Sequence, residues 1–280
     1  MTSSGRVTSY RLARVLAHAI WIVAAVIALF PFYFAFSTSL KNTHSQFTYP
    51  PEWFPSSPTL ANYQYVLGGM PYLRYMANSL VVASTVAVLK VIFDSMAGYA
   101  FAKFRFFGKK ILFAVILSTL MIPLAVRIIP TFLIVRRLGI FDTLWALILP
   151  PLAYPMGIFM MAQFIATLPS ELQDAARVDG CSEFGVFRHT VLPLIKPVLA
   201  TLAIFTFLWQ WTEFLLPLIM TYSPKVMVLT LAIANLKGQL LTNWGAVMAA
   251  TFLALLPILA LFVLFQRYFI EGITLGAIKG

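Results

Sequence analysis

The sequence is poor in charge and in the residues that build disulfide or metal sites. Only 10% of its 280 residues are charged, and Cys181 is its single cysteine, which excludes a disulfide framework and a cysteine-based metal cluster. The three histidines are far apart and form no His-Glu-x-x-His pattern, so we expect neither a metal ion nor a catalytic site. Soluble domains carry about 25% charged residues. This composition therefore cannot supply a surface that faces water on all sides.

What the sequence has in abundance is hydrophobic residues, which make up 61% of the chain and give a mean hydropathy of +0.88. They occur in long runs and not at amphipathic spacing, which predicts an all-α integral membrane protein. A bilayer core of about 30 Å needs roughly 20 apolar residues in a helix. Six segments meet that requirement, and the predicted transmembrane spans are residues 15–37, 80–102, 111–133, 144–166, 197–220 and 244–266.

The basic residues indicate how these six spans are oriented. Twelve of the 20 Lys and Arg residues fall on the side of the amino terminus, seven fall on the opposite side, and Lys90 lies inside a span. Positive residues mark the cytoplasmic side, so both termini are predicted to be cytoplasmic. Residues 1–14 are then a cytoplasmic tail, and residues 15–280 form a single transmembrane domain. The net charge of +11 indicates contact with anionic lipid headgroups and not with nucleic acid.

Residues 168–196 form the longest predicted cytoplasmic loop, between the fourth and fifth spans. Ser170 followed three residues later by Gln173 is a capping-box pattern for a short helix, and Gly180 is placed to end that helix. A second short helix is predicted from Phe184 to His189, followed by a stop at Pro193. The pair would transmit movement from a soluble domain, or it would only connect two spans. The residues alone leave both interpretations open.

One motif in this loop resembles a known family. Asp174-Ala175-Ala176-x-x-Asp179-Gly180, followed after nine residues by Thr190-x-Leu192-Pro193, is similar to the Glu-Ala-Ala loop of binding-protein-dependent ABC importer permeases. Asp174, Cys181 and Thr190 stand where Glu, Ala and an aliphatic residue are usual. In that family the loop contains a coupling helix that docks into the ATPase subunit. The resemblance therefore assigns ATPase coupling to Glu171, Asp174, Ala175, Ala176, Asp179, Gly180, Leu192 and Pro193.

Further motifs resemble the carbohydrate-importing branch of the same family, in particular the smaller six-span permease of maltose-type systems. They are Asn78-Ser79, the run Ala97-Gly98-Tyr99-Ala100-Phe101-Ala102, the segment Trp211-Thr212-Glu213-Phe214-x-x-Pro217-Leu218, and the ending Gly272-Ile273-Thr274-x-Gly276-Ala277-x-Lys279-Gly280. The resemblance implies a place in the bacterial cytoplasmic membrane, a second permease as heterodimeric partner, two ATPase subunits and an extracytoplasmic solute-binding protein. ATP and magnesium would bind to the ATPase subunits and no cofactor to this chain, which has no phosphate-binding loop.

Ionisable residues at membrane depth are candidates for function because they are costly there unless they are paired or hydrated. Lys90 and Asp94 are four residues apart and share one helix face, so we predict an intramembrane pair. Arg127 lies between Pro123 and Pro130, two residues that can free backbone carbonyls in a cavity. It would attract an anionic solute, or it would lie at the outer boundary of the membrane.

The fifth span carries a second group of candidates, Trp209, Gln210, Trp211 and Glu213. Indole rings stack on the apolar faces of sugars, and Gln and Glu side chains bond to hydroxyl groups, so these residues and Arg127 form a candidate solute pathway. Alternatively, Glu213 pairs across a helix interface and the tryptophans only pack. The sequence leaves the two open.

The predicted function is a permease subunit that moves a sugar or sugar-like solute through an ATP-driven importer by alternating access. One alternative is an ion-coupled secondary carrier, for which we would expect a repeat of the two halves that the sequence does not show. Another is an integral-membrane enzyme, which would need a cluster of His, Asp or Cys at the membrane surface. The solute itself stays open among disaccharide, oligosaccharide, amino sugar and glycerophosphodiester.

Overall fold

The computed structural model describes residues 3–42, 48–50, 52–237 and 242–277, with side-chain detail for 14–266 within those ranges. Among the described residues the regular structure is entirely helical. The helices are α1 (Ser3–Ser39), α2 (Ala61–Gly69), α3 (Tyr72–Lys103), α4 (Lys109–Ser118), α5 (Leu124–Arg137), α6 (Trp145–Leu152), α7 (Met156–Ala166), α8 (Glu171–Val178), α9 (Glu183–Val186), α10 (Leu192–Leu194), α11 (Lys196–Thr212), α12 (Leu215–Met220), α13 (Leu229–Asn235) and α14 (Trp244–Ala277). The all-α prediction is confirmed for this part of the chain.

Three helical stretches are long and apolar enough to cross a membrane as continuous helices, namely Arg14–Ser39, Tyr72–Lys103 and Trp244–Gln266. They correspond to the first, second and last predicted spans, although α3 begins eight residues before the predicted boundary at residue 80. The predicted tail, residues 1–14, is helical from Ser3. Residues 1–2, and residues 278–280 of the terminal motif, lie outside the described residues.

The third and fourth predicted spans are broken by a bend, and the fifth begins directly after one. α4 and its short 3₁₀ extension meet α5 at 106°, α6 meets α7 at 42°, and the helical stretch Glu183–Leu194 meets α11 at 80°. Prolines explain the first two breaks: Pro123 precedes α5, and Pro155 precedes α7. A proline lacks the amide that would continue the helix and clashes with the preceding turn. If each bent pair counts as one span, the described residues hold up to six.

The chain divides into two compact units, Met1–Pro71 with Ile233–Leu255, and Tyr72–Ala232 with Leu256–Gly280. In the first unit, the carboxyl-terminal end of α1 is fixed by Asn62. The Asn62 side-chain amide donates to the carbonyl oxygens of Ser39 at 2.9 Å and Lys41 at 2.8 Å. These bonds satisfy backbone groups that a helix end leaves without an intrahelical partner.

In the second unit, α3 is the central helix and packs along α7 and α11. Its first half lies in an apolar cluster with residues of α5, α6 and α12, among them Val86, Leu147 and Met220. Its last turns lie in a second cluster with α7, α11 and the segment between them, built around Tyr99, Met161 and Val191. α3 therefore connects two cores along the length of the unit.

Two glycines allow α3 and α7 to approach closely. A Cβ atom at Gly98 of α3 would overlap Met161 and would lie 2.9 Å from the backbone nitrogen of Ala162. A Cβ atom at Gly157 of α7 would overlap the carboxylate of Asp94. Small residues at helix contacts are the usual means by which helices approach closely in membranes.

We expect Gly98→Ala to destabilise the protein by about 1–3 kcal/mol, the typical cost of overpacking a well-filled contact. The matched control is Gly68→Ala in α2, where an added Cβ meets no atom within 4 Å. That control should be neutral or slightly stabilising because alanine favours helix more than glycine does. Thermal unfolding of the purified protein in detergent measures both, and equal midpoints for the two variants would contradict the close α3–α7 contact.

Candidate functional site

The segment between the fourth and fifth predicted spans folds into two short helices joined by a tight turn. α8 ends in a Schellman motif: the amide of Gly180 donates to Arg177 O, and the amide of Cys181 donates to Ala176 O, both at 3.0 Å. Gly180 has a φ of +84°, a left-handed conformation that glycine adopts at no steric cost. The predicted role of Gly180 in ending this helix is therefore confirmed.

The predicted capping box is wrong. The Ser170 side chain makes no capping bond; its backbone carbonyl accepts from the amides of Gln173 and Asp174. Gln173 is buried and does not reach back to the helix start. The side-chain cap belongs to α9, where Ser182 Oγ accepts from the Gly185 amide at 3.2 Å.

The end of this segment also differs from the prediction. After α9 the chain makes a π-helical turn, Phe187–Val191, and stays helical through Pro193 as far as Leu194. The break falls at Ile195, directly before α11. Proline is tolerated in the first turn of a helix, and here Pro193 is the second residue of α10, so it does not stop the chain.

Arg177 holds the two short helices together. Its guanidinium donates to Asp174 Oδ1 of α8 at 2.7 Å, and to the two carboxylate oxygens of Glu183 in α9 at 2.8 Å and 3.3 Å. The hydrogen bonds from Arg177 lower the pKa of Glu183 and outweigh the opposing effect of desolvation. At neutral pH the three side chains therefore form a charged bridge across the turn.

The same carboxylate also connects to α3. The hydroxyl of Tyr99 donates to Glu183 Oε2 at 3.2 Å, and Lys103 Nζ donates to Leu168 O at 2.7 Å. The Tyr99 ring is buried, with its centroid 5.2 Å from that of Phe104 and 5.3 Å from that of Phe187. Sequence reasoning missed Tyr99, Arg177 and Glu183 as site residues, although the spacing of Asp174 and Arg177 is a known helical ion-pair pattern.

The outer surface of this segment is apolar where a solvated loop would be polar. Val178 is 87% exposed and Phe184 is 60% exposed, and Leu172 is exposed as well. Asp174, Ala175, Asp179 and Gly180 are exposed on the same two helices, and Ala176 is half-buried. Exposed large apolar side chains beside charged groups are typical of a surface that contacts another protein.

Lys90 and Asp94 lie together in the middle of α3. Lys90 Nζ is 2.9 Å from Asp94 Oδ2, and their side chains are 7% and 2% exposed. Lys90 Nζ also donates to Tyr154 O at 2.7 Å, a carbonyl at the break between α6 and α7. Asp94 lies over Gly157, which has no side chain to displace it. The pair thus connects α3 to the break in the fourth predicted span.

Arg127 reaches the same break from another direction. Its guanidinium carbon lies 5.5 Å from the centroid of the Tyr154 ring, a cation–π arrangement. Its Nε atom is buried and has no hydrogen-bond partner among the residues that the structure describes. Of the predicted intramembrane residues, the structure therefore brings Lys90 and Arg127 to one tyrosine, and Asp94 to Lys90.

Glu213 lies where the fifth predicted span is interrupted. α11 ends at Thr212, and Glu213 Oε1 accepts from the amides of Leu215 at 2.9 Å and Leu216 at 3.2 Å, so that it caps α12. Its backbone carbonyl accepts from Thr230 Oγ1 at 2.7 Å. Within the described residues Glu213 Oε1 thus bonds to the amides that directly follow it, and pairing of Glu213 across a helix interface stays a prediction.

A small cavity opens beside this break, lined by Ser79, Val82, Leu147, Gln210, Glu213, Leu216, Pro217 and Val228. Its volume is about 10 Å³, room for about one water molecule. Gln210 and Glu213 face it. Trp209, Trp211 and Arg127 are not among its lining residues: Trp209 is exposed, and Trp211 is buried with its ring stacked on Phe207 at 5.7 Å.

Two α3 residues ahead of this cavity hold the segment before α13. Asn78 Nδ2 donates to the carbonyls of Lys225 at 3.0 Å and Met227 at 2.9 Å. Ser79 Oγ accepts from the Leu229 amide at 2.8 Å. The Asn78-Ser79 dipeptide therefore positions an irregular stretch of backbone next to the cavity.

The buried ion pair generates a prediction. Lys90→Met leaves the Asp94 carboxyl in the interior without its partner, and removing one member of a buried pair typically costs about 3–5 kcal/mol. The double variant Lys90→Met/Asp94→Asn removes both charges and should regain a substantial part of that loss. A double-mutant cycle on thermal unfolding in detergent measures the coupling. Single effects that simply add would contradict a direct interaction between the two side chains.

Comparison with known proteins gives a consistent result. Residues 94–274 match the family described as binding-protein-dependent transport system inner membrane component. The chain is 38% identical over 228 residues to the arabinooligosaccharides transport system permease protein AraQ of Halalkalibacterium halodurans, covering 81% of each chain. It is 34% identical over 272 residues to the sn-glycerol-3-phosphate transport system permease protein UgpE of Brucella abortus, covering 94% of this chain and 96% of the other.

Among solved structures, the fold is similar to a chain in the crystal structure of a bacterial ABC transporter involved in the import of the acidic polysaccharide alginate. The TM-score is 0.78 at 20% sequence identity, with 96% of this chain and 99% of that chain covered. At this level of identity the likeness concerns the fold.

Proposed function

Because the chain belongs to the family of binding-protein-dependent transport system inner membrane components, we propose that its segment 168–196 is the contact through which an ATPase drives solute import. The chain is an ABC importer permease of the inner membrane. Permeases of this kind work with a partner permease, an ATPase and a binding protein. For this chain the proposal is a heterodimer with a second permease, bound to two ATPase subunits that hold ATP and magnesium, and served by an extracytoplasmic solute-binding protein.

The proposed topology is six spans with both termini in the cytoplasm, in a single transmembrane domain over residues 15–280. The three continuous spans and the three bent stretches support the number six, with α11 and not Glu183–Leu194 as the membrane part of the third bent stretch. The excess of basic residues on the side of the amino terminus supports the orientation. In this topology the segment 168–196 is cytoplasmic. An importer permease has no chemical step to catalyse, so ATP hydrolysis falls to the partner subunits.

The observation that carries the coupling proposal is the surface of α8 and α9. Val178 and Phe184 are exposed apolar side chains on two short helices that Arg177 fixes relative to each other. We call α8 and α9 together the docking element. Such an element needs an apolar surface that a partner can bind, and it needs internal bonds so that it moves as one body. Glu171, Asp174 and Asp179 are exposed acids on the same element. They offer charge-assisted hydrogen bonds to a basic cleft, and Leu192 and Pro193 connect the element to α11.

The proposed solute is a sugar or sugar-like molecule. Its support is the two relatives named for arabinooligosaccharide and sn-glycerol-3-phosphate transport. We place the path at the break in the fifth span, where Gln210 and Glu213 face the small cavity. A cavity of about 10 Å³ holds about one water molecule and not a sugar ring. Passage of a solute there requires the spans to move apart, as alternating access provides.

Charge reversal and backbone change in the docking element give the first test. Asp174→Lys and Gly180→Pro should abolish uptake while the protein still inserts in the membrane. Proline lacks the amide that Gly180 donates to Arg177 O and cannot adopt a positive φ. The matched controls are Asp174→Glu, which keeps the charge, and Gly180→Asn, which tolerates the left-handed conformation. Both controls should transport solute, and normal uptake by Asp174→Lys and Gly180→Pro would contradict the coupling role.

The single cysteine gives a direct test of contact. Cys181 is exposed beside Gly180, so a membrane-impermeant maleimide should modify it in inside-out vesicles that lack the ATPase subunits. Assembly with the ATPase subunits should slow that reaction at least several-fold. Reaction in right-side-out vesicles would overturn the orientation, and equal rates with and without the ATPase would overturn the docking.

The solute path is tested at Gln210. Loss of one hydrogen bond to the solute changes an equilibrium by about three- to tenfold, so Gln210→Ala should slow uptake by a similar factor at saturating binding protein. ATP hydrolysis should persist. The control is Gln163→Ala, since Gln163 is an exposed glutamine of α7 outside the cavity. Equal uptake by both variants would show that the solute passes elsewhere.

A further inference from the structure

We propose that Tyr99 and Glu183 are positioning residues that connect the docking element directly to α3. Movement of α8 and α9 then reaches the centre of the permease through this contact as well as through the adjoining helices α7 and α11. This inference rests on the proposed coupling role of residues 168–196. It adds a route of transmission beyond the motif around Asp174, since Tyr99 lies outside that motif and Glu183 lies in its nine-residue spacer.

The docking element has two covalent connections to the spans, α7 before it and α11 after it. Both connections contain a change of helical geometry. The segment from Thr167 to Ser170 separates α7 from α8, and a π-helical turn and the break at Ile195 separate α9 from α11. Irregular turns bend more easily than continuous helix, so each covalent connection passes on only part of a displacement.

The noncovalent connection between α3 and the docking element passes through one side chain. A single carboxylate, that of Glu183, accepts from Arg177 of α8 and from Tyr99 of α3, and Glu183 itself begins α9. Three elements that are separate in sequence therefore meet at one side chain. Lys103, one helical turn further along α3, donates to Leu168 O at the entrance to the same segment. α3 thus contacts the docking element at its entrance and again at α9.

The Tyr99 end of this connection is rigid. Its ring is buried between Phe104 and Phe187, and the next residue toward the amino terminus is Gly98, which lies against the α7 backbone. Displacement of the Tyr99 hydroxyl therefore displaces α3 itself and not a mobile side chain. α3 packs along both α7 and α11, so it can carry the displacement to the rest of the unit.

The test separates coupling from folding. Tyr99→Phe removes the hydroxyl and keeps the ring and its packing. A single hydrogen bond shifts an equilibrium by about three- to tenfold, so the number of solute molecules imported per ATP hydrolysed should fall by a similar factor in the reconstituted complex. ATP hydrolysis should be retained. The matched control is Thr167→Val, which removes a nearby hydroxyl that bonds only to its own helix, at Phe164 O, and which should leave the ratio unchanged.

Substitutions of Glu183, the acceptor of the Tyr99 hydrogen bond, should affect the same ratio of solute imported to ATP hydrolysed. Glu183→Ala should lower the transport-to-ATP ratio at least as much as Tyr99→Phe, whereas Glu183→Gln keeps an acceptor for the hydroxyl and should retain more of the ratio than Glu183→Ala. A spin label on Cys181 in the permease pair without ATPase should become more mobile in Tyr99→Phe and stay unchanged in Thr167→Val. A role confined to stability would lower the amount of folded protein but would move neither the ratio nor the label mobility.

The outcomes distinguish this inference from the coupling role on which it rests. If Tyr99→Phe and Glu183→Ala keep the wild-type ratio and label mobility while Asp174→Lys abolishes uptake, the connection through Tyr99 is overturned and the docking role stands. If Asp174→Lys also transports normally, the docking role itself fails. A lowered ratio in the Tyr99 and Glu183 variants, with Thr167→Val unchanged, supports the connection.

Discussion

Backbone groups in a membrane must find their partners inside the protein, and the described part of this permease depends on that constraint more than on any other. Lipid supplies no hydrogen bonds, and each unsatisfied group costs several kcal/mol. A fold made only of straight helices meets the requirement without side chains. This chain interrupts three predicted spans, and polar side chains occupy two of the interruptions. Lys90 donates to the carbonyl at the break before α7, and Glu213 accepts the first free amides of α12.

Most of those side chains come from one helix. Asn78 and Ser79 hold the segment before α13, Lys90 and Asp94 hold the α6–α7 break, and Lys103 holds the carbonyl at the end of α7. All of them lie on α3, which otherwise supplies apolar residues to both cores. These five polar residues therefore do not weaken the span, because each bonds to a backbone group or to an opposite charge. This explains why a helix with a buried lysine and a buried aspartate still occupies the middle of the unit.

The sequence was sufficient for the features that depend on local composition. Long apolar runs predicted helices, and Gly180 predicted the end of α8, because a left-handed residue at a helix end has a strong glycine preference. The motif around Asp174 identified the family that the comparisons then showed. Pro217 lacks the amide that would donate to the Glu213 carbonyl four residues earlier, so this proline accounts for a break at Glu213. What the sequence could not show is that the Thr230 hydroxyl donates to that carbonyl instead, because the two residues meet only in the folded chain.

The capping error has a similar origin. Ser170 and Ser182 both precede an acidic or amide residue by one to three positions, and a local pattern does not decide between them. Gln173 is buried in the folded chain, which removes it from the reciprocal bond that a capping box needs. Ser182 is left free to accept from Gly185 because the Schellman turn at Gly180 has already redirected the chain. The burial of Gln173 therefore explains why there is no capping box at Ser170, and the turn at Gly180 explains why Ser182 caps α9.

The buried pair Lys90–Asp94 and the exposed bridge at Arg177 contribute different amounts to the stability of the second unit. Lys90 and Asp94 are almost completely buried, and breaking such a pair by removing one partner costs about 3–5 kcal/mol. Arg177 and its acidic partners are one-third to two-thirds exposed, and exposed pairs contribute only about 0–1 kcal/mol each. The buried pair is therefore the more costly of the two to break, and the bond from Lys90 to Tyr154 O anchors α3 at the α6–α7 break. The bridge at Arg177 contributes less to the stability of the fold, and its part is to fix the positions of α8 and α9 relative to each other.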